Sequence, residues 1–338
     1  MKALVIGLGS MGVRRIRCLQ ELGVNDITGY DTNYDRSLHA KSEYAIKVSD
    51  LKLKDIFSEN FDFCIISVPP HIHESIMQMC VLHNIPFFVE ASVVNTDLKN
   101  ILQISKKQNL KIAPSSTLRF HPAIRLITSI LNDASIGSVS NISYHSGQYL
   151  PDWHVYEEVS DFYVSRKETG GAREIVPFEL TWIVELFGFP ESVIGSYNKT
   201  IDIKGAEQID DNYNAILQFK PFTLNITVDV VSRYATRNLI INCDKGQIRW
   251  SWENNFVSVF NSSSAKWVNH KFELGNAQSG YNINISENMY IDEVKAFLAF
   301  LNDDIPFPNN LEKDIKVLDI LNSIEISSDS KKAVKIGK

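Results

Sequence analysis

The chain has 338 residues, 44% hydrophobic and 22% charged, the balance of a globular protein long enough for two domain cores. Thirty-four Lys and Arg against forty Asp and Glu give a net charge of -6, which argues against a nucleic-acid partner, since phosphate binding needs a concentrated basic face. No stretch approaches the roughly 18 uninterrupted apolar residues of a membrane span, and Cys18, Cys64, Cys80 and Cys243 show no metal-binding or disulfide spacing, so a cytoplasmic, metal-free protein is expected.

Ala3 to Ile6 is a short continuous apolar run, the pattern of a strand buried on both faces of a parallel sheet. It runs into Gly7-Leu8-Gly9-Ser10-Met11-Gly12, after which Val13, Ile16, Leu19 and Leu22 recur at helical spacing up to Gly23. Ile27 to Tyr30 reads as a second strand and ends in Asp31, about 20 residues beyond the glycines. Gly7 permits a tight turn, Gly9 lets the backbone approach a pyrophosphate, and Gly12 lets helix and strand pack closely. The helix start at Ser10 and Met11 offers free N–H groups to phosphates. Asp31 can accept hydrogen bonds from an adenosine ribose and would repel a 2'-phosphate, and Thr32-Asn33 offers no arginine to receive one. NAD is therefore expected over NADP. Arg14-Arg15 and Lys106-Lys107 read as solvated helix positions.

The alternation continues with a strand over Phe61 to Val68, the break Pro69-Pro70, a helix from His73 to His83, and a strand from Pro86 to Val89 that ends at Glu90. A helix over Asp97 to Gln108 and a strand over Lys111 to Pro114 follow. This predicts a doubly wound parallel sheet with its ligand crevice at the carboxyl ends of the strands. The ends of interest are Ser67-Val68-Pro69-Pro70, Glu90-Ala91-Ser92 and Ser115-Ser116-Thr117. From Ser138 onward strand patterns dominate, as in Ala215 to Phe219, Leu224 to Val231, Asn238 to Asn242 and Trp250 to Phe260. One helical pattern, Pro177 to Leu186, interrupts them and is closed by Gly188 and Pro190; Lys204 to Asp211 and Asn261 to Lys266 read as polar loops.

These segments together resemble the glucose–fructose oxidoreductase/inositol dehydrogenase (Gfo/Idh/MocA) family. The likeness rests on Gly7 to Gly12; on Ser67-Val68-Pro69-Pro70-His71-Ile72-His73; on the strand ending in Glu90; on Leu118-Arg119-Phe120-His121-Pro122; and on Gly170-Gly171 through Leu186-Phe187-Gly188, with Asp292-Glu293 and Phe297 near the end. The resemblance implies an α/β protein: a Rossmann domain over residues 1–118, then an α+β domain over 119–338 with a large, mainly antiparallel sheet, some C-terminal helices packing back on the first domain. It also implies a homodimer or homotetramer and a sugar or other polyol as substrate. Ser67, Pro69, His73 and Glu90 would join Gly7, Gly9, Ser10, Met11, Gly12 and Asp31 around the cofactor.

The sequence departs from that family at two places. Ala91-Ser92 stands where members carry the Lys-Pro of Glu-Lys-Pro, and Phe178 stands where they carry a histidine. Alcohol oxidation needs a base for the hydroxyl proton, a contribution of about 10²–10⁴ in rate. The polar and aromatic run from Gln148 to Arg166 is the alternative source, and it is similar to a loop of family members tied to nucleotide-sugar and surface-glycan synthesis. Within and after it, His154 is a candidate proton-transfer group or a loop residue holding Trp153. Glu174 is a candidate base or substrate ligand, or a helix N-terminal acid favoured by the dipole. Arg173 would pair with that acid or with a substrate phosphate, and Glu90 would touch cofactor or substrate. Glu179 is expected in a structural ion pair, Arg119 as a tether of the crossover segment, His73 as a brace for the Pro69-Pro70 turn, and His121 as structural. Three functions follow: an NAD-dependent oxidoreductase acting on a sugar or nucleotide-sugar hydroxyl, a cofactor-binding sensor, scaffold or subunit without redox chemistry, and an enzyme using bound NAD for internal redox.

Overall fold

The computed structural model describes residues 1–153, 157–275 and 286–337. The chain divides into two units, Met1–Thr117 with Asn288–Ile315, and Leu118–Glu287 with Lys316–Lys338.

In the first unit, β1 (Lys2–Ile6), β2 (Asp26–Tyr30), β3 (Lys47–Val48), β4 (Phe63–Ile66), β5 (Phe87–Val89) and β6 (Ile112–Pro114) form one parallel sheet in the order β3-β2-β1-β4-β5-β6. The helices α1 (Ser10–Glu21), α2 (Tyr34–Tyr44), α3 (Leu53–Ile56), α4 (Pro70–Leu82) and α5 (Leu98–Gln108) connect successive strands. Leu4, Val5, Cys64, Ile65, Phe87 and Phe88 are fully buried, which is why these strands read as unbroken apolar runs rather than alternating ones. The strand order reverses between β1 and β4. Such a reversal is the switch point at whose carboxyl edge doubly wound sheets bind their ligands.

The second unit contains α6 (Pro122–Asn132), β7 (Val139–Tyr149), α7 (Ala172–Phe187), β8 (Ser192–Asn198), β9 (Asn212–Gln218), β10 (Thr223–Asp229), β11 (Val231–Cys243), β12 (Gly246–Ser251), β13 (Phe256–Asn261) and β14 (Lys266–Lys271). The chain closes with α8 (Glu287–Leu301), which from Asn288 on belongs to the first unit, then α9 (Leu311–Ser330) and β15 (Val334–Lys335). The sheet order is β14-β13-β12-β11-β7-β10-β9-β8-β15, antiparallel throughout except at β7 and β10. Ile142, Tyr144, Leu217, Leu224, Ile241 and Ile248 point from one face into a core shared with Leu180 and Ile183 of α7. Asn141, Asn214, Asn225 and Asn238 stand exposed on the other face, the period-two alternation of a half-buried sheet.

The α7 helix begins at Ala172, before the expected start at Pro177, and the proline lies inside it. A glycine pair makes the earlier start possible. Gly171 has φ +64°, and a side chain on Gly170 would come within 1.7 Å of the Val164 carbonyl oxygen. The Ala172 N–H is satisfied by the Asp210 carbonyl at 3.1 Å, so the first turn forms well ahead of the proline. Within the first unit, the Phe297 ring of α8 is fully buried, 5.5 Å from Phe63 and 5.7 Å from Phe88. No helix among the described residues is long and apolar enough to cross a membrane.

Candidate functional site

The glycine loop joins β1 to α1. Gly7 has φ +91°, and a side chain there would meet the Ser67 carbonyl oxygen at 2.4 Å; one on Gly12 would meet the Gly7 carbonyl oxygen at 1.8 Å. Both positions are glycine because the fold itself has no room. Gly9 differs. The nearest atom to a side chain at Gly9 would be Arg36 Nη1, 3.7 Å away, an ordinary contact, so packing alone does not demand a glycine. An occupant from outside the chain does, if backbone must touch it. Just beyond, α1 starts with Ser10 and Met11 without a side-chain cap or an acid in its first turn, leaving its positive dipole end for an anion.

Asp31, at the end of β2, holds this loop. Its Oδ2 accepts from the Leu8 N–H at 2.7 Å and its Oδ1 from the Asn33 N–H at 2.8 Å. The arginine absent from Thr32-Asn33 is supplied one helical turn later. Asn33 caps α2 by accepting from the Arg36 N–H at 3.1 Å, and the turn so started brings the Arg36 guanidinium over Gly9. The capping asparagine was the sequence signal for that return.

The other strand ends carry a buried ionic network. Arg15 donates to both oxygens of Glu90, Nε to Oε1 at 2.6 Å and Nη2 to Oε2 at 2.9 Å, while its Nη1 lies 2.8 Å from Glu293 Oε2. Ser67 Oγ donates to Glu90 Oε1 at 3.3 Å. Glu293 is fully buried and accepts from the Ser116 N–H at 2.6 Å, Thr117 Oγ1 at 2.7 Å and Ser115 Oγ at 3.0 Å. Arg14 and Arg15 are therefore not the solvated positions that their pairing in sequence suggested. Arg15 has no exposed surface and Arg14 lies over the Tyr290 ring at 4.3 Å. Their helix face was the missed signal, since Arg15 is in line with Leu19 and Leu22.

Pro69 precedes α4, whose first residue is Pro70, and His73 reaches back so that its Nε2–H donates to the Val68 carbonyl at 2.8 Å. Burial lowers the His73 pKa to about 4, so the ring is neutral and its Nδ1 keeps a lone pair with no partner among the described residues.

In the second unit, Glu174 sits in the first turn of α7 and its Oε1 accepts from the Tyr163 hydroxyl. Its Oε2 is buried with no hydrogen-bond partner among the described residues. Burial raises the carboxyl pKa to about 7, and the Tyr163 hydrogen bond pulls against that rise. Arg173 turns away from Glu174. Its Nε donates to Glu325 Oε1 at 2.6 Å and its Nη1 to the Glu168 carbonyl at 2.6 Å, so the expected pairing with the neighbouring acid does not form. Consecutive residues on a helix point about 100° apart, which separates the two groups.

Glu179 is fully buried, with Arg237 Nε and Ser146 Oγ on Oε1 at 2.9 and 2.8 Å, and Tyr144 Oη and Trp182 Nε1 on Oε2 at 2.6 and 3.1 Å. The ion pair with Arg237 and three neutral hydrogen bonds give both oxygens two partners each, a structural role. Arg119 pairs with Glu185 of α7 at 2.5 Å. His121 is stacked on Trp252 with ring centroids 5.3 Å apart, accepts from the Ala123 N–H, and has its pKa lowered to about 3 by burial. Phe178 packs against the hydrophobic core. His154 lies outside the described residues.

No protein-family model and no curated protein sequence matches this one. Among solved structures the whole chain is similar to an oxidoreductase from Agrobacterium radiobacter in complex with NAD+, L-tartaric acid and magnesium, at 14% identity over 100% of this chain and 98% of that one, with a TM-score of 0.86. It is also similar to levoglucosan dehydrogenase in complex with NADH, at 15% identity over 100% and 99% of the two chains and a TM-score of 0.86. An NAD-binding oxidoreductase from Klebsiella pneumoniae aligns over 100% and 99% at 13% identity and a TM-score of 0.83. At these identities the likeness establishes a shared fold, a Rossmann-like parallel sheet followed by a second, mainly antiparallel one, that NAD-binding oxidoreductases also adopt.

Proposed function

We propose that the protein is an NAD-dependent oxidoreductase of the Gfo/Idh/MocA type that acts on a hydroxyl of a sugar or nucleotide sugar. The observation that carries this reading is Gly9. It is the one glycine of the motif whose lack of a side chain is unexplained by its own protein, and it lies at an uncapped helix start beside Asp31. Gly7, Gly9 and Gly12, the amides of Ser10 and Met11, Asp31 and the strand-end residues Ser67, Pro69 and His73 would hold the dinucleotide. When bound, NAD accepts a hydride from the carbon that carries the substrate hydroxyl. Two neighbours in fold are described with NAD+ or NADH, and one of those is a dehydrogenase named for an anhydrosugar, which supports the sugar class.

Among the proton-handling candidates, Glu174 fits best. Its pKa near 7 suits a general base at neutral pH, and one of its oxygens waits for a donor. Glu90 and Arg173 are committed to Arg15 and Glu325, so they anchor rather than transfer protons. His154, beside Trp153, stays a second candidate for proton transfer. The replacements Ala91 and Phe178 favour one alternative, a dinucleotide-binding protein whose redox chemistry is lost.

Binding and chemistry are tested separately. Quenching of protein fluorescence should report NAD binding that Gly9→Val weakens at least about 100-fold, because the added side chain occupies the pyrophosphate's place. Asp31→Ala should weaken NAD and narrow the gap to NADP. Unchanged NAD affinity in Gly9→Val would show that the nucleotide site lies elsewhere. Mixing NAD with a panel of sugars and nucleotide sugars should raise the absorbance of reduced nicotinamide. Silence across the panel with NAD binding intact would favour the non-redox alternative.

A further inference from the structure

We propose that Tyr163 is the positioning residue of proton transfer: it holds Glu174 by Oε1 and presents Oε2 as the atom that takes the substrate's hydroxyl proton. This rests on the oxidoreductase reading and deepens it. Several contacts are devoted to placing the tyrosine. It opens the short 3-10 turn Tyr163–Ser165, and its ring packs edge-on against Phe162 at 4.6 Å. Its carbonyl accepts from Thr169 Oγ1 at 2.9 Å. The next residue, Val164, accepts from the Gly171 N–H at 3.1 Å, and the same carbonyl leaves no space for a side chain on Gly170. The glycine pair thus presses the tyrosine turn onto the start of α7, the turn that carries Glu174.

The division of labour between the two oxygens follows. A carboxylate with one oxygen held by a donor keeps its other oxygen free to accept, and here that oxygen is buried without a partner among the described residues. Oxidation of an alcohol releases one proton for each hydride; breaking the O–H bond and forming O–H on Oε2 conserves that proton, which then leaves to solvent. The charged neighbour on α7, Arg173, is paired with Glu325, so among the described residues Tyr163 is the titratable group that bears on the Glu174 proton. Because the tyrosine hydroxyl donates to the charged form, it lowers the Glu174 pKa and keeps the base competent at neutral pH.

The test is a pH titration of the intact protein carrying ¹³C-carboxyl glutamate, with the Glu174 resonance assigned by its loss in Glu174→Gln. The wild type should titrate near neutrality. Tyr163→Phe, which keeps the ring against Phe162, should raise that midpoint by about one pH unit, the usual size for loss of a hydrogen bond to a charged group. With any sugar that the wild type oxidises, the acidic limb of the kcat profile should move alkaline by the same amount while KM changes little. A Glu174 midpoint that does not move in Tyr163→Phe, or one near 4.5 in the wild type, overturns the proposal. Full turnover in Glu174→Gln would instead overturn the assignment of the base. The resonance needs no substrate, so the proposal and the oxidoreductase reading fail separately.

Discussion

Asp314 shows how a single carboxyl can set the pH response of stability. It is buried near the start of α9, receives one hydrogen bond from Asn309 Nδ2 at 3.4 Å, and has its pKa raised to about 7 by burial. Below about pH 4 both folded and unfolded chains hold the proton. Between about 4 and 7 the unfolded chain has lost it and the folded chain has not, so stability falls as pH rises, and it levels off above 7. Asp314→Asn should therefore raise Tm at pH 8 by the equivalent of about 1–3 kcal/mol and leave pH 4 nearly unchanged. Equal gains at both pH values would place the effect in packing. A feature of this kind is not legible in sequence, because Asp314 becomes buried only through contacts set by the whole fold. The glycines were legible because their spacing reports backbone geometry inside one turn. Arg36 lay in between: its return over Gly9 needed the cap at Asn33 to be read first.

The elements repeat the contrast. The β-α alternation of the first unit could be read where strands are buried on both faces, at β1, β4, β5 and β6, but not across α2, β3 and α3, since β3 is two partly exposed residues and α2 buries only Ala40. The start of α7 could not, since proline usually opens a helix and here lies within one that two glycines have already begun. The tie between α1, β5 and α8 was invisible for another reason. It is made by Arg15, Glu90 and Glu293, and no spacing relates residues so far apart. Arg15→Met keeps most of the volume but leaves two carboxylates uncompensated, one of them fully buried. It should lower stability by about 3–5 kcal/mol, read as a fall in the guanidinium chloride midpoint at constant m-value. Arg15→Met combined with Glu293→Gln should recover part of that loss; no recovery would mean that the arginine acts through packing on Phe88 and Tyr290.

At the scale of the whole molecule, the first unit is discontinuous, completed by residues 288–315 after the chain has built most of the second. Those residues bring Phe297 to Phe63 and Phe88, and Glu293 to Arg15. Residues 1–117 alone should therefore lack a cooperative transition by circular dichroism, whereas 1–117 joined through a Gly/Ser linker to 288–315 should unfold in one step. Cooperative melting of the shorter piece would show that the return segment is dispensable. The same discontinuity fixes an order of events during synthesis. At roughly 5–20 residues per second, a ribosome spends on the order of ten to thirty seconds making the intervening chain. Throughout that interval the emerged N-terminal segment holds an arginine without one of its two acids and an aromatic surface without its lid.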